Sequence, residues 1–473
     1  MKHYIYKTLP LCLGGLVATS LHAGDGRPAP KRNDAAKLPN IVFILADDMG
    51  IGDVGCYGQQ RIKTPNIDRL AVDGMRFTHH YSGSTVSAPS RCALLTGKDM
   101  GHAWIRGNAG GGNGFDASLA DGEVTVAEIL KQKGYATACV GKWGLGGPTS
   151  QGRPANQGFD YFYGYLSQGA AHDYYPEYLF ENDRKVKLDR KVYSHFSIME
   201  KGLEFIENNA DKPFFVYFAV TPPHADLDYP DLSQYEGKFD EIPHVNNTKN
   251  GRGYKSQPTP RAAYASMVSE LDRNVGQVID LLEKLGKLDN TIVIFSSDNG
   301  VHSVGGHNPE YFGSNGPFRG NKRDLYEGGV RTPFVVRWDG VIAPGSETDH
   351  ISTFWDFLPT VCDITGSEIP ENIQGISYYP TLKGEKKQRR HEYIYYEFYE
   401  RGGKQSILKD GWKLVRLNMD NPDKIVEELY NIDNDIAEEH NLIGKYPGKA
   451  DRLRALAESS RIESDMFKWK YKK

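Results

Sequence analysis

Continuous apolar runs alternate with helical periodicities along the first three quarters of the chain. Capping residues mark a helix from Thr125 to Gly134, and apolar residues at helical spacing mark another over 264–285. Runs typical of strands buried on both faces lie at 41–45, 136–140, 214–220, 291–295 and 333–338. Strands that alternate with helices predict an α/β fold with a mostly parallel sheet sandwiched by helices.

The pattern changes near residue 385. Short apolar stretches at 393–398, 405–408 and 412–415 are joined by polar turns, and a helical stretch follows at 450–457. This pattern predicts a smaller C-terminal α+β subdomain, an antiparallel sheet plus a helix. We therefore divide the chain at this change of pattern into a large α/β domain at 39–384 and a C-terminal subdomain at 385–473.

The first residues have the features of an export signal. A basic start precedes an apolar segment at 9–18, and Ala23 closes a short stretch of small residues. We predict a signal peptide at 1–23 and a disordered leader at 24–38. The apolar segment is too short to remain as a membrane anchor. The expected mature protein is exported, either periplasmic or secreted to the cell surface, with no transmembrane anchor.

Charge and cysteine content exclude several classes of protein. The 57 basic and 61 acidic residues nearly balance, which gives no electrostatic reason to expect a nucleic-acid partner. The cysteines beyond the signal peptide match no zinc-binding spacing and are too few for a disulfide scaffold. They are Cys56, Cys92, Cys139 and Cys362.

Polar side chains follow two of the predicted strands. Asp47 and Asp48 come after the strand at 41–45, and Asp298 and Asn299 come after the strand at 291–295. Parallel strands end at a common sheet edge, which is the usual ligand site of such folds. Oxygen ligands favour a hard cation over zinc, so this edge predicts a site for Ca²⁺ or Mg²⁺. An ordinary acidic turn is the competing interpretation of each pair alone.

The pentapeptide Ser-Ala-Pro-Ser-Arg at 87–91, followed by Leu-Leu-Thr-Gly at 94–97, resembles the signature of type I sulfatases. Taken alone, it is equally compatible with a proline-kinked turn. The resemblance implies an alkaline-phosphatase-like fold and oxidation of Ser87 to formylglycine (3-oxoalanine). Because the residue is serine, it further implies maturation by a radical S-adenosylmethionine enzyme. The implied substrate is a sulfated carbohydrate, as for exported bacterial arylsulfatase-like carbohydrate sulfatases.

The same resemblance implies roles for individual residues. It implies calcium ligands at Asp47, Asp48, Asp298 and Asn299, with a further oxygen from the modified Ser87. It implies catalytic roles for Ser87, Arg91, Lys142, His224 and Lys322. In this family Arg91 would orient the formylglycine and Lys142 would hold the nucleophile. Lys322 would bind sulfate, and His224 would face the scissile oxygen.

One position departs from the family pattern. Many sulfatases have Gly-Lys-Trp-His, whereas this chain has Gly-Lys-Trp-Gly at 141–144, so Gly144 offers no imidazole. His302 and His307 are the candidates to take over the function of that histidine. The candidates for contact with the sugar are these two histidines together with His102, Arg106 and His172.

These residues lead to a predicted exo-acting glycan O-sulfatase. A galactose or N-acetylgalactosamine 4-sulfate is the specific substrate that we expect. Two alternatives remain open on the sequence. One is a phosphomonoester or phosphonate hydrolase of the same superfold. The other is a glycan-binding pseudo-sulfatase without activity, which the substitution at Gly144 favours.

Overall fold

A computed structural model describes residues 38–108, 117–248 and 253–472. The predicted signal peptide and nearly all of the predicted leader lie outside these residues. The strands are β1 (Asn40–Ala46), β2 (Met75–Phe77), β3 (His80–Tyr81), β4 (Ala136–Lys142), β5 (Tyr161–Tyr165), β6 (Tyr178–Glu181), β7 (Arg184–Lys187), β8 (Phe214–Ala219), β9 (Thr291–Ser297), β10 (Phe334–Arg337), β11 (Ser346–Thr348), β12 (Ser352–Thr353), β13 (Ile394–Phe398), β14 (Lys404–Lys409), β15 (Trp412–Leu417) and β16 (Val426–Asn431).

The helices differ widely in length. They are α1 (Pro65–Asp73), α2 (Ser87–Thr96), α3 (Val126–Gln132), α4 (Ser194–Asn208), α5 (Pro260–Lys284), α6 (Pro309–Phe312), α7 (Glu327–Val330), α8 (Phe357–Thr365), α9 (Tyr379–Leu382) and α10 (Pro447–Ser459). Thr125 accepts a hydrogen bond from the Glu128 amide and completes the predicted capping box of α3.

One large sheet dominates the described part of the chain, with the strand order β11-β2-β10-β9-β1-β8-β4-β5-β6-β7. The central strands β9, β1, β8, β4 and β5 are parallel, whereas β10 pairs antiparallel to β9 and β6 pairs antiparallel to β5. The predicted α/β fold with a mostly parallel sheet is therefore confirmed. The strand predicted at 333–338 exists, and it runs against its neighbour.

The central strand β1 divides the interior into two cores. Ile41, Phe43 and Leu45 pack in one apolar cluster, while Val42 and Ile44 pack in the other. Successive side chains of a strand point to opposite faces, so a run without polar residues is what burial on both faces requires. Packing on both faces holds the sheet in place, and with it the carboxyl ends of its central strands.

The C-terminal residues form a four-stranded antiparallel sheet, β13-β14-β15-β16, against which α10 packs. This agrees with the predicted antiparallel sheet plus helix. Strand β16 was not predicted, because its acidic residues Glu427 and Glu428 interrupt the apolar pattern. The boundary between residues 384 and 385 stays a prediction.

A buried ionic network joins this sheet to α7. The Lys413 ammonium on β15 lies 2.8 Å from Glu327 Oε1 and 3.0 Å from Glu438 Oε1, and all three side chains are almost fully buried. Arg331 and the Tyr81 hydroxyl contact the other oxygen of Glu327. The network therefore ties the C-terminal sheet to α7.

Replacing Lys413 by methionine is expected to lower the free energy of unfolding by about 3–5 kcal/mol, because two buried carboxylates lose their shared cation. Urea denaturation measures this change. Lys409→Met removes an exposed ion pair with Glu392 on the same sheet and is expected to cost about 1 kcal/mol or less. Equal losses in the two variants would show that the network contributes no more than a surface pair.

Within the described ranges, none of the helices combines the length and the apolar character that a membrane span needs. The four cysteines beyond the predicted signal peptide are free thiols. Cys92, Cys139 and Cys362 are buried, and Cys56 is half-buried.

Candidate active site

Four adjacent parallel strands bring the polar residues together at one sheet edge. Asp47 and Asp48 follow β1, and Asp298 and Asn299 follow β9. Lys142 is the last residue of β4, and His224 lies five residues beyond β8. Because β9, β1, β8 and β4 are neighbours in this order, all of these side chains meet at the carboxyl edge.

Ser87 is the first residue of α2 and lies against this edge. Its Oγ donates to Asp47 Oδ1 at 3.1 Å and accepts from Lys142 Nζ at 3.2 Å. The segment is thus a helix start and not a proline-kinked turn, since Pro89 lies in the first turn, where its missing N–H is tolerated. The positive end of the α2 dipole faces the Ser87 side chain and favours negative charge there.

Arg91 lies one turn further along α2 and is fully buried. It donates to Asp298 Oδ2 at 3.0 Å, to Asp47 Oδ2 at 3.4 Å and to the Lys142 carbonyl at 3.0 Å. Lys142 Nζ also lies 2.5 Å from Asp47 Oδ2. Arg91 therefore fixes the ends of three strands relative to the helix that carries Ser87.

Lys322 and His224 form the other side of the cluster. Lys322 Nζ lies 2.7 Å from Asp48 Oδ2 and 3.2 Å from His224 Nε2. His224 Nδ1 donates to the Ala225 carbonyl, which leaves Nε2 to accept from Lys322. Burial, reinforced by the charge of Lys322, lowers the pKa of His224 well below its usual value, so the imidazole is neutral at pH 7.

The donor set suits a divalent cation. Asp47, Asp48 and Asp298 converge here, and the buried side-chain oxygen of Asn299 has no hydrogen-bond partner although its Nδ2 donates to Asp48. Asp47, Asp48 and His224 also place ligand atoms within 4.8 Å of one another. Carboxylate and amide oxygens are the ligands that Ca²⁺ and Mg²⁺ prefer, and a buried amide oxygen without a partner is rare.

Electrostatics support the same interpretation. Burial raises the pKa of Asp298 to about 6, and the charge of Asp47 adds to the shift. Burial acts in the same direction on Asp47 and Asp48, but Lys142 and Lys322 outweigh it and hold the pKa of both carboxyls below its usual range. The three carboxylates and the cations of Arg91, Lys142 and Lys322 balance, so a divalent cation would leave room for an anionic substrate.

Among the predicted sugar contacts, the structure places His172 directly beside this cluster. Its ring stacks on His224 with 4.4 Å between centroids. The sequence analysis did not single out Tyr254. The centroid of its ring lies 5.9 Å from that of His172 and 6.3 Å from that of His224. Tyr254 follows no motif, so only the folded chain identifies it as a neighbour of the site.

Two predicted sugar contacts have other partners. Arg106 is 2% exposed and donates to Glu397 Oε1 at 2.8 Å and to the Ile462 carbonyl. It therefore joins the C-terminal sheet to the α/β part, and its contact with substrate stays a prediction. His102 Nδ1 contacts Asp99 at 2.7 Å, beyond the end of α2 that is opposite to Ser87.

The position of Gly144 is filled by another side chain. A Cβ at Gly144 would lie 1.8 Å from Gln168 Nε2, so the amide of Gln168 occupies the space beside the backbone there. His302 does not fill it, because its Nε2 contacts the Pro223 carbonyl and its Nδ1 accepts from the Val304 amide. The ring of His307 stacks on that of Tyr264 with 3.6 Å between the centroids. A role of His302 or His307 in place of the family histidine stays a prediction.

The family profile described as Sulfatase matches residues 39–367. A second profile, for the C-terminal part of N-sulphoglucosamine sulphohydrolase, matches residues 314–459. The first match covers the α/β part, and the second covers the loop of Lys322 together with the C-terminal sheet.

Individual relatives and solved structures agree with these matches. N-acetylglucosamine-6-O-sulfatase of Bacteroides thetaiotaomicron is 29% identical, over 91% of this chain and 88% of the relative. N-acetylgalactosamine-6-sulfatase of Homo sapiens is 32% identical, over 74% of this chain and 66% of the relative, so this chain spans about two thirds of its length. A solved structure of a protein with its substrate D-glucosamine-2-N,6-O-disulfate superposes with a TM-score of 0.72 and 26% identity, covering 90% of this chain and 97% of that one.

Proposed function

The chain belongs to the sulfatase family and is a sulfuric ester hydrolase, and from this premise we propose that it removes sulfate from a carbohydrate with a formylglycine made from Ser87. The observation that carries the proposal is the position of Ser87. Its Oγ lies within 3.2 Å of both Asp47 and Lys142, at the positive end of α2. A plain serine hydroxyl needs a base for activation, and the groups beside it here are a cation and an ion-paired carboxylate.

The modified residue would supply the attacking group. The hydrate of an aldehyde at Ser87 offers one hydroxyl to attack sulfur and a second to release sulfate afterwards. Lys142 Nζ, already 3.2 Å from the present hydroxyl, would hold this group and offset its developing negative charge. Arg91 would keep the start of α2 in place through its contacts with Asp298 and the Lys142 carbonyl.

Asp47, Asp48, Asp298 and Asn299 would hold the Ca²⁺ ion, with Mg²⁺ as the alternative. When bound, such an ion acts as a Lewis acid on a sulfate oxygen and lowers the pKa of a neighbouring hydroxyl. The unpartnered oxygen of Asn299 and the convergence of three buried carboxylates support this assignment. The positive charge of Lys322 would bind the sulfate group from the side of Asp48.

The leaving oxygen needs a proton, and we assign it to the pair of Lys322 and His224. Lys322 Nζ holds a proton 3.2 Å from His224 Nε2. Burial opposes the charged form of Lys322, but Asp48 and Asp47 outweigh it and raise the pKa of the ammonium above its usual value. The pair is thereby kept protonated at neutral pH, as a proton donor to an alkoxide must be.

His224→Ala is expected to lower kcat on a sugar sulfate by about 10²–10³-fold and on 4-nitrophenyl sulfate by less than about tenfold, because nitrophenolate leaves without a proton. Steady-state kinetics on both substrates measure this difference. The exposed His440 serves as the control, and His440→Ala is expected to leave both rates near the wild-type values. Equal losses on the two substrates would contradict the role of His224 at the leaving oxygen.

The substrate that we propose is a sulfated hexose or N-acetylhexosamine. The two curated relatives act by name on the 6-sulfates of N-acetylglucosamine and N-acetylgalactosamine, which makes these the first compounds to assay. The galacto-configured 4-sulfate predicted from the sequence belongs in the same panel. Release of inorganic sulfate from each compound, after maturation of Ser87, tests the proposal. Export and maturation by a radical enzyme remain part of the proposal.

A phosphomonoester or phosphonate substrate is the main alternative within this superfold. The cluster offers three carboxylates, one amide oxygen and His224, which is fewer nitrogen ligands than a pair of transition metals prefers. The cluster also argues against a glycan-binding protein without activity, since binding alone needs no nucleophile beside a metal site. Sulfate release that exceeds phosphate release on matched 4-nitrophenyl esters would decide in favour of the sulfatase.

A further inference from the structure

An ion pair connects the loop of Lys322 to the C-terminal sheet. Arg323 Nε lies 3.0 Å from Glu400 Oε2 in the turn between β13 and β14. The side chains of Arg323 and Glu400 are 25% and 33% exposed, whereas that of Lys322 is 8% exposed. Exposure therefore increases from Lys322 outward to Glu400, and the pair lies at the rim of the site.

The backbone of Arg323 is fixed on both sides. Its amide donates to the Thr85 carbonyl at 3.1 Å, two residues before Ser87. Its carbonyl accepts from Lys404 Nζ on β14 at 2.7 Å. Arg323 also has a φ of +75°, a conformation that a residue with a Cβ rarely adopts. The surroundings thus hold the backbone of Arg323 beside the nucleophile segment, as is typical of strained residues at functional sites.

The ion pair of Arg323 and Glu400 determines which groups of a substrate can bind at the rim of the site. Arg91, Lys142 and Lys322 contact the carboxylates of the acidic cluster, whereas the charge of Arg323 is balanced by a separate carboxylate outside it. A guanidinium and a carboxylate side by side offer donors and acceptors to the neighbouring hydroxyls of a sugar ring. A second sulfate or a uronate on that ring would place a negative charge next to Glu400 and be repelled.

We propose that Arg323 and Glu400 form a specificity site that binds the hydroxyls of a neutral, monosulfated sugar ring and disfavours rings with a second anionic group. This inference rests on the proposed function, in which oxidised Ser87 hydrolyses sulfate esters of sugars. The inference gives the turn between β13 and β14 a contact with substrate, made by Glu400.

The test compares kcat/KM for two substrates in the full-length, matured enzyme. One substrate is the monosulfated monosaccharide with the highest rate in the panel, and the other is its counterpart with a second sulfate. The wild type is expected to prefer the first. Glu400→Gln removes the repelling charge and is expected to reduce this preference at least tenfold. Glu392→Gln, which removes an exposed partner of Lys409 on the same sheet, is expected to keep the wild-type ratio.

A second variant tests the cationic partner. Arg323→Asn retains a residue that tolerates a positive φ, so it limits backbone disturbance. It is expected to raise KM for the monosulfated sugar at least tenfold with a smaller change in kcat. A Glu400→Gln ratio equal to that of Glu392→Gln would overturn the inference while leaving the sulfatase proposal intact. A wild type with oxidised Ser87 that cleaves no sulfate ester would instead overturn the proposed function, and this inference with it.

Discussion

Replacing Ser87 by alanine is expected to lower kcat for sulfate release by about 10⁴-fold or more, since it removes the group from which the nucleophile is made. The protein itself should fold normally. The Ser87 hydroxyl forms hydrogen bonds with the buried pair of Asp47 and Lys142, which remain paired to each other at 2.5 Å. We therefore expect a melting temperature within a few degrees of the wild-type value, measured by differential scanning fluorimetry.

The control for this variant is the wild-type chain produced without a maturating enzyme. If a formylglycine is the nucleophile, the unoxidised wild type should be as inactive as Ser87→Ala, because both proteins lack the aldehyde. The two proteins differ by a single hydroxyl, so the comparison separates loss of the oxidised group from any effect of the substitution on packing. A Ser87→Ala protein that keeps more than about one tenth of the wild-type rate would show that another group attacks sulfur.

Removal of divalent cations is expected to lower the rate about 10³-fold and to destabilise the protein. Three buried carboxylates and the unpartnered oxygen of Asn299 would then lose the cation that they coordinate together. An ion that binds only the folded state at a hundred times its Kd adds about 2.7 kcal/mol to the free energy of unfolding. Calcium added to chelator-treated protein should therefore raise the melting temperature by a few degrees and restore activity.

Two asparagines at opposite ends of the neighbouring parallel strands β1 and β9 provide the matched comparison. Asn299→Ala removes a proposed ligand and should weaken calcium binding at least about tenfold, seen as a smaller thermal shift at fixed calcium. Asn40 lies at the start of β1, where it bonds Thr291 and the Phe214 amide. Asn40→Ala should lower the melting temperature but keep the full calcium shift. Chelated protein that retains its activity and melting temperature would refute the metal site.

The sheet and most of its polar edge were predictable from the sequence. The strands at 41–45 and 291–295 are almost entirely apolar, and burial on both faces of a sheet accounts for such short runs. Once the strands are parallel, Asp47, Asp48, Asp298 and Asn299 must meet at their carboxyl ends. Because buried carboxylates need cationic partners, the ion pairs with Arg91 and Lys142 follow.

Contacts between distant segments were not predictable in the same way. Arg106 follows Ser87 closely in the sequence, yet its partner Glu397 is 291 positions away in the chain. The amide of Gln168 beside Gly144 depends on the register of the segment after β5, which no local pattern specifies. The pairing of Arg323 with Glu400 likewise depends on how the C-terminal sheet packs, and periodicity carries no information about that.

Mass spectrometry of the peptide that contains Ser87, combined with sulfate release by the same preparation, tests the central claim most directly. The protein is co-expressed with an anaerobic sulfatase-maturating enzyme. We predict a mass about 2 Da below that of the serine peptide, as oxidation of an alcohol to an aldehyde requires, and a rate of sulfate release proportional to the oxidised fraction. Sulfate release that does not vary with this fraction, or full activity with Ser87 unmodified, would contradict the account.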